Sequence, residues 1–550
     1  MKTETMKLSL DNITVRMYRT GFGDCFLFFF NYIDRKEKEN KKKKTVIETK
    51  RLLIDFGAWK PQEDLFELNT GKFHSLQEIG EAIKKALNGN PLDAVVITHE
   101  HKDHLNGFKS AEEIFQNDDG IKISEIWMSW IENLDDKEAE KLKTFKKSSM
   151  KAVEKAMNKL TALNMNMVKD ASGKSVKQPQ FRQLEELLSF EDGDDDGSLL
   201  GVVGRKGNNQ LAMDVVKNAC AKKPIYYEPG QIIEAWEGVR FYVLGPPKDE
   251  MALYTDESKK EGDLYLSAAT LSEDEYSFLY ANFDNGPINN REQWIKNAPF
   301  DEEFINLEAM VDQTVLQKLI PESENIEVQK SVLPENKIQS GDTVKMYNDA
   351  ENSWRKIDTD WLGTAERLAI KLNSHTNNTS LALAIEMIEA DAVLLFPGDA
   401  QFGNWDSWKK VEFKLEDKNK VSNSGEKVTR TIKSEDLLKK AVLYKVGHHA
   451  SHNATANSAG LELMKDSLKI SLIPVARNTA KGNDWPIPHP ALLKRMESFT
   501  NHGVIMADFT KAEKAEFEQR MKNHKGFVDC TFDADNMFIE IKIANKKNTL

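Results

Sequence analysis

The sequence predicts an α/β fold. Residues 76–89 carry apolar side chains at helical spacing and end in a glycine, which is typical of a surface helix. The β-branched run Val95–Ile97 then predicts a short buried strand, and residues 121–130 alternate well enough to form the next one. This alternation of helix and strand places the chain in the α/β class.

The strand at Val95–Ile97 runs directly into a loop with four side chains of metal-ligand type, His99, His101, Asp103 and His104. Side chains two residues apart in an extended loop share a side, so the first three can converge while His104 points elsewhere. One loop can therefore serve two neighbouring ions. Imidazole together with carboxylate suits zinc, manganese or iron better than calcium or magnesium.

A closed zinc site that only holds the fold together is the alternative interpretation of this loop. Structural zinc usually draws on cysteine, but Cys25, Cys220 and Cys530 are far from one another and from the loop. The three cysteines are therefore expected to be ordinary thiols in a reducing compartment. A reactive metal site is therefore the favoured interpretation.

The pattern His-x-His-x-Asp-His after an apolar strand resembles the signature of the metallo-β-lactamase superfamily, and further segments share the resemblance. Residues Val15–Phe30 are similar to its first hairpin, with the turn at Gly21–Asp24, and Arg51–Gly57 is similar to the next strand. Ala392–Asp399 ends in Gly-Asp, where the family supplies a bridging carboxylate, and Leu443–His449 ends where it supplies the last histidine. The resemblance implies an αββα sandwich with large, mainly helical insertions.

The resemblance also implies a centre that holds two ions, with zinc expected and manganese or iron as alternatives. The implied ligands are His99 and His101 for the first ion, Asp103, His104 and His448 for the second, and Asp399 between them. His448 and His449 are adjacent, and alternation along a strand lets only one face the metals. We expect that ligand to be His448.

The histidine that the superfamily usually adds to the first site is missing, and Asn377–Leu383 stands in its region. Its Asn-x-x-Ser-Leu pattern, the Gly-Asp and the double histidine followed by serine are together similar to the metallo-hydrolase domain of the competence protein ComEC and its stand-alone relatives. Ala450 replaces the glycine usual there, which predicts strain if the position needs a positive φ angle. His375 is either the missing ligand or a loop residue.

Phosphodiester hydrolysis is the reaction that this resemblance implies. Asp103 and Asp399 would hold the attacking water, and His449 or His452 would contact an anionic substrate or protonate the leaving group. The alternative for both histidines is a surface or helix-capping role. The remaining candidates for substrate contact are Asn378, Ser380, Ser451 and His489.

Three other functions compete with this prediction. A carboxyl-ester or amide hydrolase, such as a lactonase or β-lactamase, would be expected to show the missing histidine. A flavodiiron-type redox protein needs a glutamate where His101 stands. An inactive relative that binds a partner through its insertions would have lost metal ligands, and the sequence retains all six.

At 550 residues the chain exceeds a minimal domain of this superfamily, so insertions are expected. We predict that the two halves of the metallo-hydrolase core and their connecting strands are separated by a helical insertion and by a second insertion that caps the cleft. In chain order these are core 1–131, helical insertion 132–224, core strands 225–250, cap 251–372 and core 373–550. The lysine-rich run 35–44 is expected to be a solvated hairpin tip and the acidic loop 192–198 a flexible linker.

The net charge of -12 disfavours a protein that holds long nucleic acid by its overall field. A nucleotide, a short nucleic acid or another small phosphoester is therefore the expected substrate, and no protein partner is indicated. No apolar stretch reaches the length of a membrane span, and the first residues lack a signal-peptide pattern. The sequence thus predicts a cytoplasmic protein without a membrane partner.

Overall fold

The computed structural model describes residues 7–35, 45–59, 74–162, 166–169, 174–191, 207–255, 361–421, 427–500, 503–522 and 526–546. Unit 1 consists of Met1–Thr144, Leu187–Thr270 and Lys371–Leu550, and unit 2 of Phe145–Glu186 and Leu271–Ile370. Most of the predicted cap, at 256–360, lies outside the described residues, as do the run 36–44 and the loop 192–198. The predicted boundaries of the two insertions stay a prediction.

Unit 1 contains an eight-stranded sheet in the order β18-β19-β1-β2-β3-β4-β5-β8. Its strands are β1 Leu8–Tyr18, β2 Cys25–Asp34, β3 Glu48–Phe56, β4 Ala94–Val96, β5 Ile126–Ser129, β8 Ile225–Tyr227, β18 Val528–Phe532 and β19 Phe538–Ala544. The first hairpin and the strand before the metal loop are confirmed. The C-terminal part of the sheet is the β18–β19 hairpin, and Asn536, with φ of 54°, lies between its two strands.

A seven-stranded sheet in the order β17-β16-β15-β12-β11-β10-β9 forms the other layer of unit 1. Its strands are β9 Ile232–Ile233, β10 Val239–Gly245, β11 Ala382–Met387, β12 Ala392–Phe396, β15 Ala441–Lys445, β16 Ile470–Ile473 and β17 Gly503–Met506. Two hairpins form two-stranded sheets of their own: β13 Glu412–Val421 with β14 Lys427–Lys433 in unit 1, and β6 Met167–Lys169 with β7 Ser175–Lys177 in unit 2.

The described helices are α1 Leu76–Leu87, α2 Lys102–Ser110, α3 Glu112–Gln116, α4 Lys137–Ala162, α5 Pro179–Glu191, α6 Asn208–Asn218, α7 Glu250–Leu253, α8 Trp361–Asn378, α9 Phe402–Ser407, α10 Ser434–Leu438, α11 Glu462–Met464, α12 Arg477–Gly482, α13 Pro490–Glu497 and α14 Lys511–Lys522. Helix α1 confirms the predicted helix. Ser75 and Glu78 form a capping box at its start, and Asn88 ends it in the left-handed conformation. Among the described residues, no helix is both long and apolar enough to cross a lipid bilayer.

The two sheets pack face to face, and helices cover their outer sides. Side chains from both sheets share one buried cluster, in which the rings of Phe28 and Phe396 lie 4.9 Å apart. Because side chains alternate along a strand, Leu53 points away from that cluster and packs with Ile83 of α1 on the outer side. On the outer side of the second sheet, Tyr444 packs with helical side chains in the same way. The predicted αββα sandwich is confirmed.

Candidate metal centre

The predicted metal loop connects the end of β4 to the start of α2, and His101 is the residue immediately before that helix. Its four ligand-type side chains, His99, His101, Asp103 and His104, are each at most 2% exposed. Polar groups so deeply buried need partners, because burying them without compensation costs several kcal/mol, roughly 2–7 for an uncompensated polar group. The geometry around the loop shows what those partners are.

Two glycines let other segments press against the backbone of this loop. A Cβ atom on Gly57 would lie 2.5 Å from the backbone nitrogen of His104, and one on Gly23 would lie 2.7 Å from the carbonyl oxygen of Asp103. That carbonyl accepts a hydrogen bond of 3.0 Å from the backbone N–H of Asp24. The hairpin turn and the end of β3 thus support the metal loop at distances that admit no side chain.

Asp55, at the end of β3, orients His104. One of its oxygens accepts from the backbone N–H of Thr98 at 2.8 Å, and the other accepts from Nδ1–H of His104 at 2.7 Å. Nε2 is therefore the nitrogen of His104 that can bind a metal ion. Asp55 is in the left-handed conformation, with φ of 54°, which aims its carboxylate back at the loop.

Four ligand atoms from three separate segments of the chain lie close together, and one of them is Nε2 of His104. Nε2 of His104 lies 3.2 Å from Oδ2 of Asp399 and 3.6 Å from Oδ2 of Asp103. Nε2 of His449 lies 3.0 Å from the same Asp103 oxygen and 3.8 Å from the Asp399 oxygen. These four atoms form a second-ion group of two carboxylate oxygens and two imidazole nitrogens.

The histidine that reaches this group is His449, where the sequence led us to expect His448. Strand β15 ends at Lys445, so the alternation on which that expectation depended does not extend to the two histidines. They lie in a short turn in which His448, His449 and Ala450 have φ angles of 41°, 53° and 67°. Nδ1–H of His449 donates to the carbonyl of Pro474, which leaves Nε2 for the group. The strain predicted for alanine at position 450 is present, because its φ angle is positive.

His99 and His101 form the first-ion group. Nε2 of His99 lies 3.1 Å from Nδ1 of His101, and Nδ1 of His99 lies 3.0 Å from Oγ1 of Thr98. Burial, with the neighbouring His104 and His101, lowers the pKa of His99 well below its usual value, so its ring is neutral. His99, His104 and Asp399 can together offer three ligand atoms within 4.8 Å of one another.

The donor set fits divalent cations. Oδ1 of Asp103 and Nε2 of His104 are buried and have no hydrogen-bond partner within the described ranges. Burial alone would lower the pKa of His104, but Asp399, Asp103 and two further aspartates raise it well above its usual value. A cation can take the place of that proton, as metals do when they bind histidine. Because Asp399 groups with His99 and His104 on one side and with Asp103 and His449 on the other, the residues fit two ions with a shared carboxylate.

Residues 45–200 match the model of the metallo-beta-lactamase superfamily. No curated protein and no solved structure matches the chain. The match covers β3 and the metal loop, whereas Asp399 and His449 lie beyond it and join the site through the fold. The superfamily match and the His/Asp groups together indicate a metal-dependent hydrolase.

Lys445 is a further residue of the site, and the sequence did not predict it. Its Nζ atom lies 2.5 Å from Oδ2 of Asp24 and 2.9 Å from Oδ1 of Asp399, and its side chain is 1% exposed. The third buried group of ligand type, Asp24 with Asp55 and His104, therefore already has the ammonium group of Lys445 beside Asp24. No sequence signal marked Lys445, because it looks like the polar end of an apolar strand.

Two residues expected to contact substrate are instead engaged within the protein. Nδ2 of Asn378 donates to the carbonyls of Leu253 and Thr255, and its Oδ1 accepts from two backbone N–H groups that follow β12. Oγ of Ser380 accepts from the backbone N–H of Asp399 at 3.0 Å and lies 3.3 Å from Nδ1 of His99. Both placements favour a role in shaping the site.

His448 is held by polar neighbours outside the ligand groups. Its Nδ1 lies 3.0 Å from Nε2 of Gln401 and 2.8 Å from Oγ of Ser451, and its Nε2 lies 3.3 Å from Nδ2 of Asn377. Burial lowers the pKa of His448 to about 4, so the ring is uncharged at neutral pH. Ser451, another expected substrate contact, therefore helps to fix this ring.

None of the remaining predicted histidines belongs to a ligand group among the described residues. His375 is buried within α8 and stacks on Tyr254 with ring centroids 4.4 Å apart, so it belongs to a helix and not to a loop. It is not part of any ligand group among the described residues. His452 is exposed, and its ring centroid lies 6.3 Å from that of the half-buried His489.

Proposed function

We propose that the protein uses two divalent cations to hydrolyse a phosphodiester in a nucleotide or a short nucleic acid. The observation that carries the proposal is the position of Asp399, which can offer a ligand atom to both the His99 group and the Asp103–His449 group. Two ions bound there would supply a water of lowered pKa and would stabilise the charge on the attacking and leaving oxygens.

Asp103 is the residue best placed to hold the attacking water. Its Oδ2 belongs to the second-ion group, and its Oδ1 is buried without a hydrogen-bond partner among the described residues. Burial would raise the pKa of Asp103, but His104 and His449 lower it below its usual value. The side chain therefore stays a carboxylate and can accept a hydrogen bond from that water.

His452 and His489 are the candidates for contact with the substrate and its leaving group. The backbone N–H of His489 donates to the carbonyl of Ala450 at 2.7 Å, which ties the proline-bracketed loop to the double-histidine turn. The exposed ring of His452 follows the same turn. We propose that His452 protonates the departing alkoxide, because a histidine side chain placed beside a substrate can act as a general acid.

The preference for phosphorus over carbon follows from the resemblance to ComEC-like metallo-hydrolases. The Asn-x-x-Ser segment, the Gly-Asp and the double histidine carry that resemblance, and they converge around Asp399 through Ser380 and His449. The net charge of -12 favours a small phosphoester over a long nucleic acid.

A substrate panel on metal-loaded protein tests the proposal. We expect hydrolysis of bis-p-nitrophenyl phosphate after loading with zinc or manganese, and little turnover of p-nitrophenyl phosphate, nitrocefin or a lactone. Asp103→Ala should abolish turnover with an unchanged circular dichroism spectrum. Asp119→Ala, at an exposed ion pair with Lys84, is the matched control and should keep full activity. Preferred cleavage of nitrocefin or the lactone would overturn the choice of substrate.

A further inference from the structure

A buried carboxylate from outside the predicted site contacts the first-ion group. Oε1 of Glu191, the last residue of α5, lies 3.2 Å from Nε2 of His101, and Glu191 is 6% exposed. Oγ1 of Thr376 donates to the same oxygen at 2.7 Å. Nδ2 of Asn209 donates to the Glu191 carbonyl, so the main chain is held as well. The carboxylate is thus fixed against His101 from several sides.

A carboxylate at Nε2 decides which nitrogen of His101 carries the proton. A neutral imidazole has one N–H, and the partner of one nitrogen sets the role of the other. With Nε2–H donated to Glu191, Nδ1 keeps a free lone pair that points towards Nε2 of His99.

The neighbouring ring is held in the complementary tautomer. The hydroxyl of Thr98 donates its proton to Asp55 at 2.6 Å, so its oxygen can accept from Nδ1–H of His99. Nε2 of His99 then also carries a lone pair. This nitrogen lies 3.1 Å from Nδ1 of His101. Two lone pairs at this distance repel unless a cation lies between them. Two nitrogen ligands of a tetrahedral zinc ion are about 3.3 Å apart at ordinary bond lengths.

We infer that Glu191 is a positioning residue that selects the metal-binding tautomer of His101. This inference depends on the proposed metal centre but not on the proposed substrate. Without the carboxylate, His101 is free to carry its proton on Nδ1 and donate it to Nε2 of His99. Nδ1 of His101 then has no lone pair for an ion, and the lone pair of His99 is taken up by the hydrogen bond. Asp55 acts on His104 in the same way, so each ion group has a histidine oriented by a buried carboxylate.

The role of Glu191 also bears on the organisation of the chain. The residue lies in the segment 132–224 that the sequence predicted to be a helical insertion, yet it belongs to unit 1 with the metal loop. The last residue of α5 therefore belongs to the proposed metal centre.

Metal binding to Glu191→Leu tests the inference independently of any hydrolysis. In competition with a chromophoric chelator, we expect one of two zinc ions to bind 10–100-fold more weakly than in the wild type. The other ion should be unaffected. The zinc affinity of Glu191→Gln, which keeps an acceptor oxygen, should lie between those of the wild type and Glu191→Leu. Glu185→Leu removes a carboxylate of the same helix that pairs with Lys177, and it should bind both ions normally.

Nitrogen NMR of the histidine rings in the metal-free protein gives a second readout. We expect His101 to carry its proton on Nε2 in the wild type and on Nδ1 in Glu191→Leu, an exchange that a merely structural role would not produce. Unchanged zinc affinity in a folded Glu191→Leu protein would overturn the inference, and so would equal weakening of both ions. If the leucine variant does not fold, the same two measurements on Glu191→Gln decide the question.

Discussion

Nζ of Lys445 lies 2.9 Å from Oδ1 of Asp399, in an ion pair that is almost completely buried. The backbone N–H of His448 donates to the same oxygen at 2.9 Å. Oδ2 is therefore the oxygen of Asp399 that faces His104 and His449. The lysine thus determines which oxygen of the shared carboxylate is available to the metal centre.

Replacing this lysine should destabilise the protein. Lys445→Met leaves Asp24 and Asp399 buried without their cation, and loss of one partner of a buried pair costs about 3–5 kcal/mol. We expect a lower urea midpoint for the metal-free protein. Lys439→Met removes an exposed lysine that pairs with Glu435 and should leave the midpoint unchanged. Equal midpoints for the two variants would contradict a buried ion pair at position 445.

A methyl group at position 57 should displace the metal loop. The Cβ atom of Gly57→Ala would lie 2.5 Å from the backbone nitrogen of His104, and backbone atoms cannot yield as a flexible side chain can. We expect loss of bound metal or a failure to fold, measured by metal analysis and soluble yield. Gly482→Ala, where a Cβ atom meets nothing within 4 Å, is the matched control. Normal metal content in Gly57→Ala would show that the loop is not packed as described.

Asp55 should matter for metal affinity more than for folding. Asp55→Asn keeps the size of the side chain but removes the charge that holds Nδ1–H of His104, so the second ion should bind 10–100-fold more weakly. Isothermal titration calorimetry with zinc measures the change. Asp93→Asn alters a carboxylate that accepts from the backbone of Arg51, away from the metal loop, and should bind zinc normally. Wild-type zinc affinity in Asp55→Asn would contradict the proposal that Asp55 orients His104.

Glu513 should stabilise the fold only above mildly acidic pH. Its hydrogen bond to Arg477, at 2.7 Å, lowers the pKa of Glu513 from 4.5 to about 2. Since the folded pKa is depressed, the stabilisation is present above pH 4.5 and is lost as the pH falls towards 2. Glu513→Gln should cost about 1 kcal/mol at pH 7, a modest value because the side chain is 40% exposed and screened by solvent.

Urea denaturation at pH 7 and pH 3 measures this difference, which should shrink at the lower pH. Glu516→Gln disrupts a more exposed pair with Arg520 and should show little effect at either pH. A difference for Glu513→Gln that grows as the pH falls would have the wrong sign for a depressed pKa.

Much of the fold and part of the site could be predicted because their signals are local in the chain. Alternating apolar residues mark β1 and β2, and the cap and spacing of residues 75–89 mark α1. The four side chains of metal-ligand type from His99 to His104 could be recognised because they share one loop. Such features depend on the backbone geometry of a few neighbouring residues, which their own side chains largely determine.

Only the tertiary structure shows that His449 lies beside Asp103 and Asp399, because the two histidines are in a turn of three successive residues at positive φ angles that no strand pattern predicts. It also revealed Lys445 and Glu191, whose partners lie 46 and 90 residues away in the chain. A buried charge is stabilised by an opposite charge that the fold brings close to it. The spacing of residues in the sequence does not show which distant charges will pair.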